Sequence, residues 1–389
     1  MNTATAYWFT LEPYVQVGLT PRRALLYNTL DGATIESEQP EVVELLQEVL
    51  QKENCGVVLL TDERYRRQTI RTFIGELREK YMGDLIDTRL SKGKPVQLLP
   101  FSNVSTPGKF EIYKKHNFPT ENAPVFENLC EITIEVDATT EVDRLIPFLQ
   151  SVPEGITFNL TGSIGEVAGM SEVWSFLDHY PSPKRILCSY AHPLPLLPAS
   201  ASRFSYSVTV GFPLNRADWN RCRQALSDQS LPFEYVFEIT SLADYREAEQ
   251  LIEASELENY QLKPAYTGEN LRFFEENIFL TKEDILATPL SVKDFMMRQA
   301  LNVYDFGKIH IRPDGEAYAN VHHPPLGNIY TDSLYEIVCN EMEKGTSWFR
   351  IRNQAPCNAC VFQWFCPSPS TYEILIGRPD LCHANYEKK

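Results

Sequence analysis

Four cysteines crowd the end of this sequence. Cys357, Cys360, Cys366 and Cys382 fall within 26 residues, whereas Cys55, Cys130, Cys188, Cys222 and Cys339 are scattered singly. Thiolates two residues apart grip one metal from a tight turn, and two later ones close a tetrahedral four-sulfur site. Zinc and a 4Fe–4S cluster both accept that ligand set, and Cys366-Pro367 leans towards the cluster because Cys-Pro recurs in ferredoxin-type sites. The odd total of nine argues against a fully paired disulfide framework. Phe362, Trp364 and Phe365 alternate with the cysteines, where they would keep water off a cluster and tune its potential. His322 and His323 are adjacent and precede Pro324-Pro325, so they point to different sides and do not converge on one ion. His383 reads as a neighbour of the site rather than a ligand. No Gly-x-Ser-x-Gly, Walker or His-Glu-x-x-His motif occurs.

The elements that must hold these thiols belong to a chain of 389 residues, enough for two or three domains. Its 36 Lys and Arg against 52 Asp and Glu give −16, a balance that repels phosphate backbones and argues against nucleic acid as partner. No apolar run approaches the roughly 18 residues of a membrane span. The first residues lack a basic stretch followed by an apolar core, so the expected address is the cytoplasm.

Residues 1–85 read as three short strands (Tyr7–Glu12, Tyr14–Leu19, Ala24–Leu30) plus amphipathic helices near Val42–Leu50 and Arg66–Tyr81, a winged-helix-like α+β unit. Residues 86–128 carry many breakers and little periodicity, and are expected to connect and lie over the next domain. From 129 to 302, strands alternate with helices: Cys130–Val136, Gly155–Leu160, Arg185–Ser189, Ser205–Val210, Phe233–Ile239 and Tyr260–Pro264. That alternation implies right-handed crossovers and a parallel sheet, in either a partial β/α barrel or an open doubly wound arrangement. Residues 303–389 begin with a hairpin whose turn is Arg312-Pro313-Asp314-Gly315, continue through a helix near Ser333–Glu343, and end in the cysteine segment.

The run Ile309–Ile329, with Arg312-Pro313-Asp314-Gly315 and Leu326-Gly327-Asn328-Ile329, followed by C-x2-C-x5-C, resembles the SPASM domain that follows the catalytic barrel of radical S-adenosylmethionine (SAM) enzymes acting on peptides. The resemblance implies an auxiliary 4Fe–4S cluster on Cys357, Cys360, Cys366 and Cys382. A second auxiliary cluster, usual in that family, is implied to be lost: Asn320 and Ser370 stand where two of its cysteines belong. The βα region resembles a radical SAM barrel, with a departure. An active member holds its cluster on C-x3-C-x2-C after the first strand. Here that stretch is Asp137-Ala138-Thr139-Thr140-Glu141-Val142, and the Gly-Gly-Glu-Pro motif is reduced to Thr161-Gly162-Ser163-Ile164-Gly165. The chain therefore resembles a degenerate, pseudo-radical-SAM/SPASM protein of ribosomal-peptide (RiPP) modification systems, with no S-adenosylmethionine expected.

That resemblance implies a non-catalytic partner that binds a RiPP precursor (leader) peptide, an active radical SAM/SPASM paralogue, or both. The N-terminal unit resembles the leader-recognition element of such systems, in which the leader adds as a strand to a sheet edge beside a helix. Ala24–Leu30 and the helix Arg66–Tyr81 are then the expected groove, with Leu25, Leu26, Tyr27, Arg67 and Arg71 as contacts. Arg64, Arg66, Arg67 and Arg71 would form a basic face for an acidic leader. Two other readings stand beside this one. The mouth of the βα region could host different chemistry through Glu135, Asp137 and Glu166, since active sites of such folds lie at the carboxyl ends of the strands. Or the four cysteines could hold zinc as a structural staple.

Overall fold

The computed structural model describes residues 6–91, 93–97, 125–195, 203–229, 231–344 and 346–384. Most of the expected connecting segment, residues 98–124, therefore lies outside the described residues.

Short apolar runs at the start give β1 (Ala6–Leu11), β2 (Val15–Leu19), β3 (Ala24–Asn28) and β4 (Thr34–Ser37). Helix α1 (Pro40–Val49) opens on a proline, whose missing N–H has no partner to lose in a first turn. Its Val42, Val43, Leu45, Leu46 and Val49 are buried. Then come β5 (Val57–Thr61), α2 (Asp62–Tyr65, capped by the Thr61 side chain), α3 (Gln68–Glu79) and β6 (Gly83–Asp87). Helix α3 turns Ile70, Phe73, Ile74 and Leu77 onto α1 and the strands. The strands do not form the one small sheet of a winged helix. They form two antiparallel sheets, ordered β5-β1-β6 and β2-β3-β4. Strand β1 pairs with segments about 50 and 80 residues downstream, a choice made by burial of Phe9 and Leu11 against Leu60, Leu77 and Met82 rather than by local pattern.

The second region contains β7 (Glu131–Val136), α4 (Val142–Gln150), β8 (Thr157–Gly162), α5 (Met170–His179), β9 (Lys184–Ser189), β10 (Phe204–Val210), α6 (Arg216–Gln229), β11 (Phe233–Ile239), α7 (Leu242–Ala254) and β12 (Tyr260–Pro264). Three short helices follow: α8 (Leu271–Asn277), α9 (Lys282–Ala287) and α10 (Val292–Ala300). Strands β7 to β12 are parallel and neighbour one another in chain order. A doubly wound sheet reverses its order part-way, so the sequential order selects the singly wound alternative, which puts right-handed crossovers on one face. Burial along β7 shows that face: Ile132, Ile134 and Val136 are buried, while Glu131, Thr133 and Glu135 look to the other side. Helices α4 to α7 cover the apolar face with Leu145, Leu149, Val173, Leu177, Trp219 and Ala248. Phe158 is fully buried in this core, and truncating it to alanine would cost about 3–5 kcal/mol.

The C-terminal region adds β13 (Lys308–Ile311), β14 (Glu316–Tyr318), β15 (Gly327–Asn328), α11 (Leu334–Lys344) and α12 (Thr371–Ile376). Its hairpin is not a separate sheet. Strand β13 lies parallel to β7, and β14 and β15 continue outward, giving the order β12-β11-β10-β9-β8-β7-β13-β14-β15. Gly315 closes the Arg312–Gly315 turn at φ +83°, and a Cβ there would meet the Tyr330 ring at 2.6 Å. The two end strands are β12 and β15, and no pairing among the described residues closes the sheet into a barrel. No described helix is long and apolar enough to cross a membrane.

Candidate metal centre

The first three thiols are set by local turns. A short 3-10 turn covers Cys357–Ala359, with the Cys360 N–H donating to the Cys357 carbonyl at 3.1 Å. The next bends bring the Gln363 N–H to the Cys360 carbonyl (3.1 Å) and the Cys366 N–H to the Phe362 carbonyl (3.0 Å). The Phe362 N–H also donates to Cys360 Sγ at 3.4 Å, a bond that favours the thiolate. The fourth thiol arrives by a different device. Helix α12 stops at Gly377 (φ +72°), and the chain returns to lay Cys382 in a bridge beside Leu280. The Leu280 N–H donates to Leu381 and the His383 N–H to Leu280, both at 2.9 Å.

All four cysteines line one cavity, walled by Leu280, Ile285, Phe362 and the polar groups of Arg352, Gln363 and Asp380. Cys357, Cys366 and Cys382 are buried and Cys360 half-buried. No two cysteines of the chain form a disulfide. Burial pushes the Cys357 thiol up from its ordinary value, and Cys366 up to about 12, both against the pull of Arg352, and raises Cys360 against the Phe362 N–H and Arg23. Such thiols stay protonated until a cation displaces the protons. Among the described residues no group of three or more His, Cys, Asp or Glu closes to single-ion spacing. The shared cavity, rather than ion-sized convergence, is what unites the four. The donor set fits a zinc ion or a 4Fe–4S cluster by ligand type.

Arg352 is the cation of this site. Its Nη1 lies 3.8 Å from Cys357 Sγ, its Nε donates to the Pro367 carbonyl at 2.6 Å, and its Nη2 pairs with Glu373 at 2.9 Å. Both partners of that pair are almost fully buried. Arg298 donates to the Phe365 carbonyl, and Arg23 lies over the Phe362 ring at 5.4 Å. Of the aromatics expected to shield the site, Phe362 and Phe365 are buried, and Trp364 is half-buried against them.

The two positions where cysteines of a second cluster were expected lie side by side. Asn320 Nδ2 donates to Asp305 Oδ1 at 3.1 Å and reaches Thr371 Oγ1 at 3.3 Å, next to Ser370. Arg350 pairs with Asp305 at 3.5 Å and donates to the Ser370 carbonyl at 3.1 Å. Ser370 itself caps α12 in a capping box with Glu373. Burial raises Asp305, with Arg350 opposing it. A hydrogen-bonded ion network occupies this locus. His323 joins its rim, with Nδ1 within 2.6 Å of Ser347 Oγ, and burial lowers its pKa. His322 donates its backbone N–H to Asn320. His383 meets the Glu275 carbonyl at 2.8 Å through Nε2, outside the cysteine cavity.

The residues expected to form a peptide groove are placed elsewhere. Strand β3 is the centre of its sheet, paired on both sides with β2 and β4, so it offers no edge to an added strand. Leu26 packs into the N-terminal core, while Leu25 and Tyr27 pack outward on Ile285, Leu290, Phe295, Val361, Phe362, Phe365 and Cys366. The Tyr27 hydroxyl accepts the buried Leu290 N–H at 2.8 Å. Gly18 on β2 approaches so closely that a Cβ would sit 2.0 Å from the Val361 carbonyl oxygen. The basic face is already answered by acids: Arg64 by Glu48, Arg66 by Asp62 and Arg67 by Glu41, while Arg71 is exposed. Of the expected contacts, Leu25 and Tyr27 form the seat on which the N-terminal sheet meets the cysteine segment, while Arg67 and Arg71 lie at the start of α3. Nothing local in the sequence signals that contact, nor the importance of Arg352 and Leu280.

The acids at the carboxyl ends of the strands do not gather. Asp137 accepts from the Thr139 N–H and hydroxyl at 2.7 and 2.6 Å, a turn-forming role. Glu166 is exposed in a short 3-10 turn, and Glu135 lies 3.9 Å from His310. No hydrogen bond or ion pair joins these three acids to one another.

No family model matches this chain, and no curated protein does. Among solved structures, it is similar to a histidine-tagged form of anSMEcpe with bound AdoMet, at 10% identity and a TM-score of 0.41, over 61% of this chain and 84% of that one. It is similar also to native anSMEcpe with bound AdoMet, at 8% identity and a TM-score of 0.39, over 61% of this chain and 88% of that one.

Proposed function

We propose that this chain is a non-catalytic partner in the maturation of ribosomally made peptides, carrying one 4Fe–4S cluster on Cys357, Cys360, Cys366 and Cys382. It binds a precursor peptide, an active radical SAM enzyme, or both. The observation that supports the cluster is the gathering of four thiols around one cavity with Arg352 beside them. A bound cluster supplies either a cross-link between chain segments or a place to hold an electron. This chain's own residues position the thiols by the 357–366 turns and the Leu280 bridge, and exclude water with Phe362 and Phe365. The non-catalytic half of the reading rests on the stretch after β7. There the chain turns through Asp137–Thr140 by side-chain hydrogen bonds and presents no thiol.

Anaerobic reconstitution with iron and sulfide tests both halves. About four irons per chain, a brown absorbance that each Cys→Ser substitution weakens, and no 5′-deoxyadenosine with S-adenosylmethionine and reductant are the expected results. Cleavage of the cofactor by the isolated protein refutes the non-catalytic reading. One tightly held zinc in a colourless protein replaces the cluster with a structural staple.

A further inference from the structure

The β12 end of the large sheet combines an unpaired edge, an apolar cavity and exposed acids on the flanking segments. Strand β12 is terminal and pairs with β11 alone. Tyr260, Gln261, Leu262 and Lys263 are exposed along it, and Pro264 closes the usable edge because it has no N–H and its carbonyl already accepts the Tyr372 hydroxyl. Beside the strand, between α7 and α8, lies a cavity of about 320 Å³ lined chiefly by Ile239, Leu242, Tyr245, Leu262, Phe273 and Ile278. Leu242 is 46% and Leu262 37% exposed, an apolar cost that a monomer carries without return unless something covers it. Glu247, Glu249, Glu253, Glu256, Glu258 and Glu269 are exposed on α7 and in the loops either side of β12, against exposed Arg246, Lys263 and Arg272.

We infer that this edge binds an extended, positively charged peptide segment, which adds as a strand beside Tyr260–Leu262 and seats one large apolar side chain in the cavity. Main-chain pairing on a terminal strand supplies register, the cavity supplies selectivity for the inserted side chain, and the flanking acids supply the sign of the ligand's charge. A second copy of this chain is disfavoured as the occupant, because edge-to-edge pairing would bring the exposed acids that flank β12 in each copy together. The inference rests on the peptide-handling part of the proposed function and gives it a location and a charge. It is independent of the cluster.

The test uses full-length reconstituted protein and three fluorescein-labelled peptides: alternating lysine and valine with one central phenylalanine, the same with glutamate for lysine, and the lysine peptide with alanine for phenylalanine. Anisotropy should show salt-sensitive binding of the first, and binding at least about tenfold weaker for each of the other two. Leu262→Arg, at an exposed position, should weaken the first peptide by a similar factor, whereas Leu59→Arg on β5 should leave it unchanged. Amide exchange over Tyr260–Lys263 should slow when that peptide is added. Equal binding of the acidic peptide, no binding of the basic one, or self-association through β12 in sedimentation overturns the inference. Protection at β2 or β4 in place of β12 overturns it too, while leaving peptide handling standing. Cofactor cleavage, read in a separate reaction, is what decides the non-catalytic reading.

Discussion

Gly18→Ala is the sharpest test of how the N-terminal sheet meets the cysteine segment. The backbone at Gly18 is not in the left-handed region, so an alanine there is refused by space and not by conformation. Its Cβ would lie 2.0 Å from the Val361 carbonyl oxygen and 3.0 Å from the Phe365 ring, against a closest tolerated approach of 3.0 Å. A backbone carbonyl cannot swing aside like a side-chain end, so β2 and the 357–366 segment must part by about 1 Å. Overpacking of this kind costs typically 1–3 kcal/mol. At about 1.4 kcal/mol per tenfold, the bound metal or cluster should be lost to a chelator roughly 5- to 140-fold more readily. Gly75→Ala is the internal control. It is the same chemical change in α3 with nothing within 4 Å, and should stabilise by about 0.5–1 kcal/mol through helix propensity. The assay is anaerobic chelator challenge followed by absorbance and iron release, with urea unfolding in parallel. If Gly18→Ala keeps both the release rate and the unfolding midpoint of the parent, the N-terminal sheet is not seated on Val361 and the packing described for Leu25 and Tyr27 falls with it.

Tyr27→Phe keeps the ring in its aromatic nest but strands the buried Leu290 N–H, and should cost about 1–3 kcal/mol in urea unfolding. Arg352→Met leaves Glu373 buried without its cation and should lose about 3–5 kcal/mol. Adding Glu373→Leu to Arg352→Met should recover much of that loss in the same measurement, less the capping contact of Ser370. Metal-free protein should become less stable as pH rises from about 9 towards 12. Folded Cys366 holds its proton up to about 12 while the unfolded thiol ionises near its ordinary 9, so the folded state binds more protons across that window. Cys188, pushed up to about 12, and Cys222, up to about 11, act in the same direction, and denaturation midpoints across that range measure the sum. Loading a metal or cluster displaces thiol protons, so apparent affinity in chelator competition should climb with pH.

What could be read from the amino-acid order was what depends on near neighbours. Three of the four thiols lie in ten residues, and their turns are local, so their gathering announces itself. Strands β7 and β11 show their period because one face is greasy and the other polar, as Ile132, Ile134 and Val136 against Thr133 and Glu135 illustrate. Distant partners could not be read. The short apolar run of β3 marks a strand, but whether Leu25 and Tyr27 face solvent, a peptide or Phe365 is decided by a contact more than 300 residues away. The pairing of β1 with β5 and β6 is hidden for the same reason. Arg64, Arg66 and Arg67 looked like a basic patch until Glu48, Asp62 and Glu41 were seen opposite them. The helices between 271 and 300 were missed because each is six to nine residues long, too short to display a clear period.

The seat beneath Tyr27 has a consequence for how this polypeptide is made. Phe365 follows Tyr27 by 338 residues, so at 5–20 residues per second a ribosome takes roughly 17–70 s to deliver the ring that covers it. Until Ile285, Leu290 and Phe295, and after them Phe365, are delivered, the nascent sheet displays Leu25 and Tyr27 to the surroundings. Cys382 emerges later still. The cover over Tyr27 and the four-thiol cavity are therefore the last parts of this geometry to close.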